Sequence, residues 1–60
     1  MSDKLIDQSW FLSAVNPSAS EVDYLQQNYT EVIRRTDLEL ANGLSAQNAV
    51  IKVCKEMLGK

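Results

Sequence analysis

The chain has no histidine, a single cysteine, one proline, two glycines and only four aromatic residues among its 60 positions. Each scarcity removes a class of chemistry. Without imidazole there is no side chain whose ordinary pKa lies near neutrality, so Ser–His and Cys–His nucleophilic catalysis lack their base. Cys54 alone builds neither a disulfide framework nor a thiolate metal site, which makes a reducing, cytoplasmic setting the expectation. Gly43 and Gly59 stand far apart and form no phosphate-cradling loop. No apolar run approaches the roughly 18 residues that span a bilayer. The start shows no basic region followed by an apolar stretch, so no signal peptide is expected. Carboxylates are the only hard ligands, and they lack the spacing of a calcium loop. Paired acids such as Asp3/Asp7 and Glu21/Asp23 fall at helix starts, where capping accounts for them. The expectation is therefore no catalytic residue, no cofactor, no metal site and no small-molecule substrate.

Net charge is also small, with 8 Asp+Glu against 6 Lys+Arg. It is unevenly placed. Up to Glu31 the only base is Lys4, whereas Arg34, Arg35, Lys52, Lys55 and Lys60 all follow. An acidic front and a basic back suit antiparallel packing, between helices or between copies. Membrane-surface binding is not expected, because the polar faces are not rich in Lys or Arg.

What is present is helical punctuation. Ser18 and Glu21 have the spacing of a capping box, with Pro17 just outside. Asn42-Gly43 is a stop, because glycine takes the left-handed C′ conformation without a Cβ clash. Between them Val22, Leu25, Tyr29, Val32, Ile33, Thr36 and Leu40 recur in steps of three and four, which places them on one face. The spacing predicts one helix over 18–42. Thr36-Asp37-Leu38-Glu39 also has capping-box spacing, so a break near Thr36 is the competing reading. Glu39 projects close to the apolar stripe, and an unbroken helix needs a cationic partner for it.

The flanks read as two further helices. Residues 3–15 carry Leu5, Ile6, Trp10 and Leu12 at loose helical spacing, ended by Pro17; a strand over SWFLSAV is the alternative. Ser45 caps a last helix over 45–58, ended by Gly59. Val50, Val53 and Met57 form its inner stripe, and Ile51, Cys54 and Leu58 widen it, so it should touch more than one neighbour. The fold class is all-α: a single small domain of three helices, short, long and intermediate.

A 24-residue helix is about 36 Å long, while a compact 60-residue globule is roughly 27 Å across. The central rod should overhang its own core. A chain this short, with neither crosslink nor metal, commonly adds a partner. Both considerations predict a homodimer, with a two-fold as the commonest symmetry.

Asn42-Gly43-Leu44-Ser45 followed by an apolar helix resembles the turn between the helices of ribbon-helix-helix repressors. The resemblance covers some 15 residues and implies a small DNA-binding repressor. The chain departs from that family in the length of the preceding helix and in the uncharged SWFLSAV where a basic strand belongs. With a net charge of −2 the chain lacks the cationic excess that phosphate contacts demand, so nucleic acid is not the expected partner.

The residue types that dominate interfaces remain: Trp10, Phe11, Tyr24 and the Arg34-Arg35 pair, with Leu38 projecting from the polar side of the central helix. Trp10-Phe11 reads either as a lid on the core or as an anchor in a partner's groove. The sequence-based expectation is a small cytoplasmic interaction protein, a bacterial, phage or plasmid regulator that modulates a larger protein such as a transcription regulator. The alternatives are the repressor above and an adaptor subunit of a larger complex.

Overall fold

The computed structural model describes residues 5–60, with side-chain surroundings from Ile6 onward. The described residues form a single-turn 3-10 helix, Leu5–Asp7, and four α-helices: α1 Ser9–Val15, α2 Ala19–Gln27, α3 Tyr29–Ala41 and α4 Ala46–Leu58. No strand occurs among them. The all-α expectation holds, and the count of three does not.

Two boundaries differ from the sequence reading. The first helix begins at Ser9, because Gln8 is extended at φ −80° and ψ 144° and separates it from the 3-10 turn. The expected start of that helix at residue 3 lies outside the described residues. The stretch SWFLSAV is helical throughout, and Asn16 ends it in the left-handed region at φ 51°, directly before Pro17. The second difference is larger. The expected rod over 18–42 is interrupted at Asn28, with φ −111° and ψ 26°, and runs unbroken through Thr36. The Asn28 side-chain Nδ2 donates to the Tyr24 carbonyl at 2.8 Å, and its backbone N–H donates to the same oxygen at 3.1 Å. An asparagine amide competing for a helical carbonyl is a recognised helix breaker. The Val32 N–H still reaches the Asn28 carbonyl at 3.1 Å, so the chain bends there without reversing.

The bend removes the overhang. The two longest helices have 13 residues each, about 20 Å of rise, and the fold measures 30 × 25 × 20 Å with a radius of gyration of 10.5 Å. The geometric reason for a dimer therefore falls away.

The caps otherwise match. The Ser18 N–H donates to Glu21 Oε1 at 2.8 Å and the Glu21 N–H donates to Ser18 Oγ at 3.3 Å, a complete capping box. Ser45 Oγ accepts from the Asn48 N–H at 3.3 Å. At the end of α3 the Leu44 N–H donates to the Glu39 carbonyl and the Gly43 N–H to that of Leu40, the two bonds of a Schellman motif, with Gly43 at φ 100°.

Helix α4 is the centre of the packing. It lies against α3 on one side and α1 on the other, as its wide apolar face requires. The core joins Ile6, Phe11, Val15, Leu25, Val32, Val50, Val53 and Cys54, with Trp10, Tyr29, Ile51, Met57 and Leu58 packed around it. Phe11 is wholly buried, and Trp10 meets it edge-on with ring centroids 6.2 Å apart. Of the expected stripe, Leu25, Val32, Val50 and Val53 are buried, while Val22, Tyr29, Ile33 and Met57 are half-buried. Leu40 departs from it. It is exposed in the last turn of α3, where it comes level with the polar first turn of α4, itself exposed over Ala46–Asn48.

Candidate functional site

Two neighbouring features of the surface stand out. The first is the outer face of α3. Glu31, Arg34 and Arg35 fall one turn apart, and the carboxylate gathers both guanidinium groups. Arg34 Nε donates to Glu31 Oε1 at 3.0 Å and its Nη2 to Oε2 at 2.5 Å, while Arg35 Nε donates to Oε2 at 2.6 Å. The two cations, Arg34 first, hold the Glu31 carboxyl down at about 2. Both arginines are thus fixed in orientation, and the trio keeps one excess positive charge. On the following turn Leu38 is 56% exposed, the most open large apolar side chain described.

The second is an open groove of about 410 Å³ between α2 and the end of α4, lined by Ser20, Glu21, Tyr24, Met57 and Leu58. Tyr24 is 45% exposed on its wall. Lys60 closes the groove's end. Its Nζ donates to the carbonyls of Val15 at 3.3 Å and Asn16 at 3.0 Å, and pairs with Glu21 Oε1 at 2.8 Å. One ammonium therefore ties the tail of α4 to the end of α1 and to the start of α2. The Lys60 contact, then the Ser18 backbone, lowers the Glu21 pKa. Sequence spacing could not place Lys60 here, since its three partners lie 39 or more positions away.

Of the expected partner-binding residues, Tyr24, Arg34, Arg35 and Leu38 are exposed. Trp10 is half-buried against the core. Phe11 offers no surface to a partner, which corrects its reading as an anchor: it sits where α1 crosses α4, and its ring fills the core. The inner stripe Val22, Leu25, Tyr29, Val32, Thr36 stays inward across the bend at Asn28. The opposite side of the rod therefore stays outward, and Tyr24, Glu31 and Leu38, seven residues apart, share it.

Glu39, Lys52 and Cys54 have structural explanations. Glu39, 18% exposed, finds the expected cation in Lys52 at 3.0 Å, and Glu39 raises the Lys52 pKa. With Arg34 and Arg35 held by Glu31 and Lys52 by Glu39, the basic half presents less positive potential than its composition suggests. Burial pushes the Cys54 thiol up to about 11, which keeps it protonated and unreactive. Among the described residues no group of three or more Cys, Asp or Glu side chains is placed to hold a metal ion, and no helix is long and apolar enough to cross a membrane.

No protein-family model, no curated protein and no solved structure matches this chain, so its own geometry carries the functional reading.

Proposed function

We propose that this chain is a small non-catalytic interaction module of the cytoplasm that works by occupying a surface on another protein, its own copy included. What supports the reading is the outer stripe of the α2–α3 rod: a half-open tyrosine, two arginines pre-oriented by one glutamate, and an open leucine. Exposed tyrosine and arginine beside an apolar anchor are the composition of interface hot spots. Fixing the arginines beforehand reduces the entropy lost on docking. A regulator that binds a larger protein is the form we favour, as a homodimer. DNA binding is disfavoured because the net charge of −2, with Glu31 beside Arg34 and Arg35 and Glu39 beside Lys52, leaves little of the cationic excess that phosphate contacts need.

The test is affinity capture with the tagged chain, reading out one saturable protein partner. Leu38→Glu and the double change Arg34→Ala, Arg35→Ala should abolish capture while leaving the helical signal intact. Capture that ignores both changes overturns the assignment of the stripe. Retention on heparin with steep salt dependence would instead favour the repressor alternative.

A further inference from the structure

We infer that Asn28 is a hinge at which α2 and α3 straighten into one rod, and that the straightened chain seats its N-terminal arm, residues 5–27, on the α3–α4 hairpin of a second copy. This supplies a mechanism for the homodimer of the proposed reading. It rests on the hinge and the core, and not on the outer stripe.

The fold divides into two halves joined at that one residue. In the arm, the 3-10 helix packs on both α1 and α2; in the hairpin, α3 packs on α4. The core is shared equally between them. Ile6, Phe11, Val15 and Leu25 come from the arm, and Val32, Val50, Val53 and Cys54 from the hairpin. Parting the halves therefore exposes buried apolar side chains on both, which water penalises. An arm that leaves its own hairpin needs another, and the hairpin of a second copy fits it residue for residue. That is the exchange known as domain swapping. Lys60 follows the exchange, since its partners Val15, Asn16 and Glu21 all belong to the arm.

The hydrogen bonding of the hinge is already that of a continuous helix. The Asn28 N–H donates to the Tyr24 carbonyl and the Asn28 carbonyl accepts from the Val32 N–H, each at 3.1 Å and each spanning four residues. Val22, Leu25, Tyr29, Val32 and Thr36 keep steps of three and four across it. What differs is one pair of dihedrals. The φ of −111° and ψ of 26° stand about 50° and 70° from helical values, and the Asn28 side chain clamps the Tyr24 carbonyl at 2.8 Å. A few element-terminal residues commonly absorb such rotations in hinge motions. The straight rod over 19–41 is about 34 Å long, more than the 30 Å of the closed fold. Straightening swings α1 off its own α4, because α2 turns with the rod. The closed chain holds its arm at high effective concentration, so exchange is favoured only when copies are concentrated.

The test refolds the chain at several hundred micromolar and reads mass by sedimentation equilibrium, against the 6.7 kDa of one copy. Asn28→Ala removes the clamp and places a strong helix former at both hinges of the dimer. It should give a dimer about tenfold tighter than that of the wild type. Asn28→Gly removes the same clamp but disfavours helix, so its dimer should be about 30-fold weaker than that of Asn28→Ala. For the exchange itself, isotopically labelled and unlabelled Asn28→Ala chains are refolded together. Phe11 is wholly buried where α1 crosses α4. Nuclear Overhauser contacts from its ring to α4 methyls should therefore pass between chains in the exchanged dimer, and they cannot in a dimer of closed chains. A single-copy mass for Asn28→Ala at several hundred micromolar overturns the inference. So do equal dimer strengths for the two variants, or a dimer without the cross-chain contacts. None of these outcomes bears on the outer stripe, which the capture assay judges separately.

Discussion

Thr36 is the most exacting test of the packing. It is 3% exposed, in the middle of the face of α3 that covers α4, and its hydroxyl has no hydrogen-bond partner. An unsatisfied buried hydroxyl costs about 1–3 kcal/mol. Thr36→Val replaces the oxygen by a methyl of nearly the same shape, and the two residues have similar helix propensity, so backbone effects cancel. The expected outcome is a gain of about 1–2 kcal/mol, the lower part of that range, because some strain remains where a methyl replaces oxygen. In a domain of this size each kcal/mol moves the melting temperature by about 4–8 °C. Thr36→Val should therefore melt at least about 4 °C above wild type, and its urea midpoint should rise with an unchanged slope. Thr36→Ser, which keeps the hydroxyl and opens a methyl-sized void, should melt lower than wild type. If Thr36→Val is neutral or destabilised, the hydroxyl is satisfied and the description of this face is wrong.

Four further outcomes follow from the same structure. Leu25→Ala empties a fully buried site on the short helix α2 and should cost about 2–5 kcal/mol, enough to unfold much of a domain this small, read by circular dichroism at 25 °C. Lys60→Met keeps the apolar stem but frees the Val15 and Asn16 carbonyls and Glu21; it should cost about 1 kcal/mol and speed amide exchange at the end of α4. The folded Glu31 carboxyl titrates at about 2 against an ordinary 4.5. Its contribution is therefore complete above about 4.5 and lost as pH falls toward 2, and Glu31→Gln should flatten the melting-temperature profile across that window. Cys54, buried and with its thiol raised to about 11, should label with a thiol reagent at pH 8 only as fast as the chain unfolds; burst labelling of the native protein contradicts its place in the core.

Much of the local structure was legible because it depends on neighbours in sequence. The capping box at Ser18, the cap at Ser45 and the glycine stops at Gly43 and Gly59 are contacts over three to five residues, and spacing alone places them. The inner stripes of α3 and α4 were legible for the same reason, except Leu40, whose cover depends on how far α4 extends beside it. The need of Glu39 for a cation was readable from its position beside the stripe; that the cation is Lys52 was not, because it comes from another helix. The candidate surface was half legible. Tyr24, Arg34, Arg35 and Leu38 were identified by residue type and helical angle. The groove at Met57 and Leu58 was not, because it exists only where α4 meets α2.

The sequence by itself determined a helical chain without histidine, since inventory and period need no third dimension. Tertiary structure decided where the long amphipathic run bends. Asn28 is only a mild helix breaker, and an isolated helix could absorb it. A small core that must bury both Leu25 and Val32 is served better by two short rods, α3 along α4 and α2 turned onto the 3-10 helix, than by one overhanging rod. That competition between local propensity and burial is set by long-range contacts, so the bend and the groove could be located only in the folded chain.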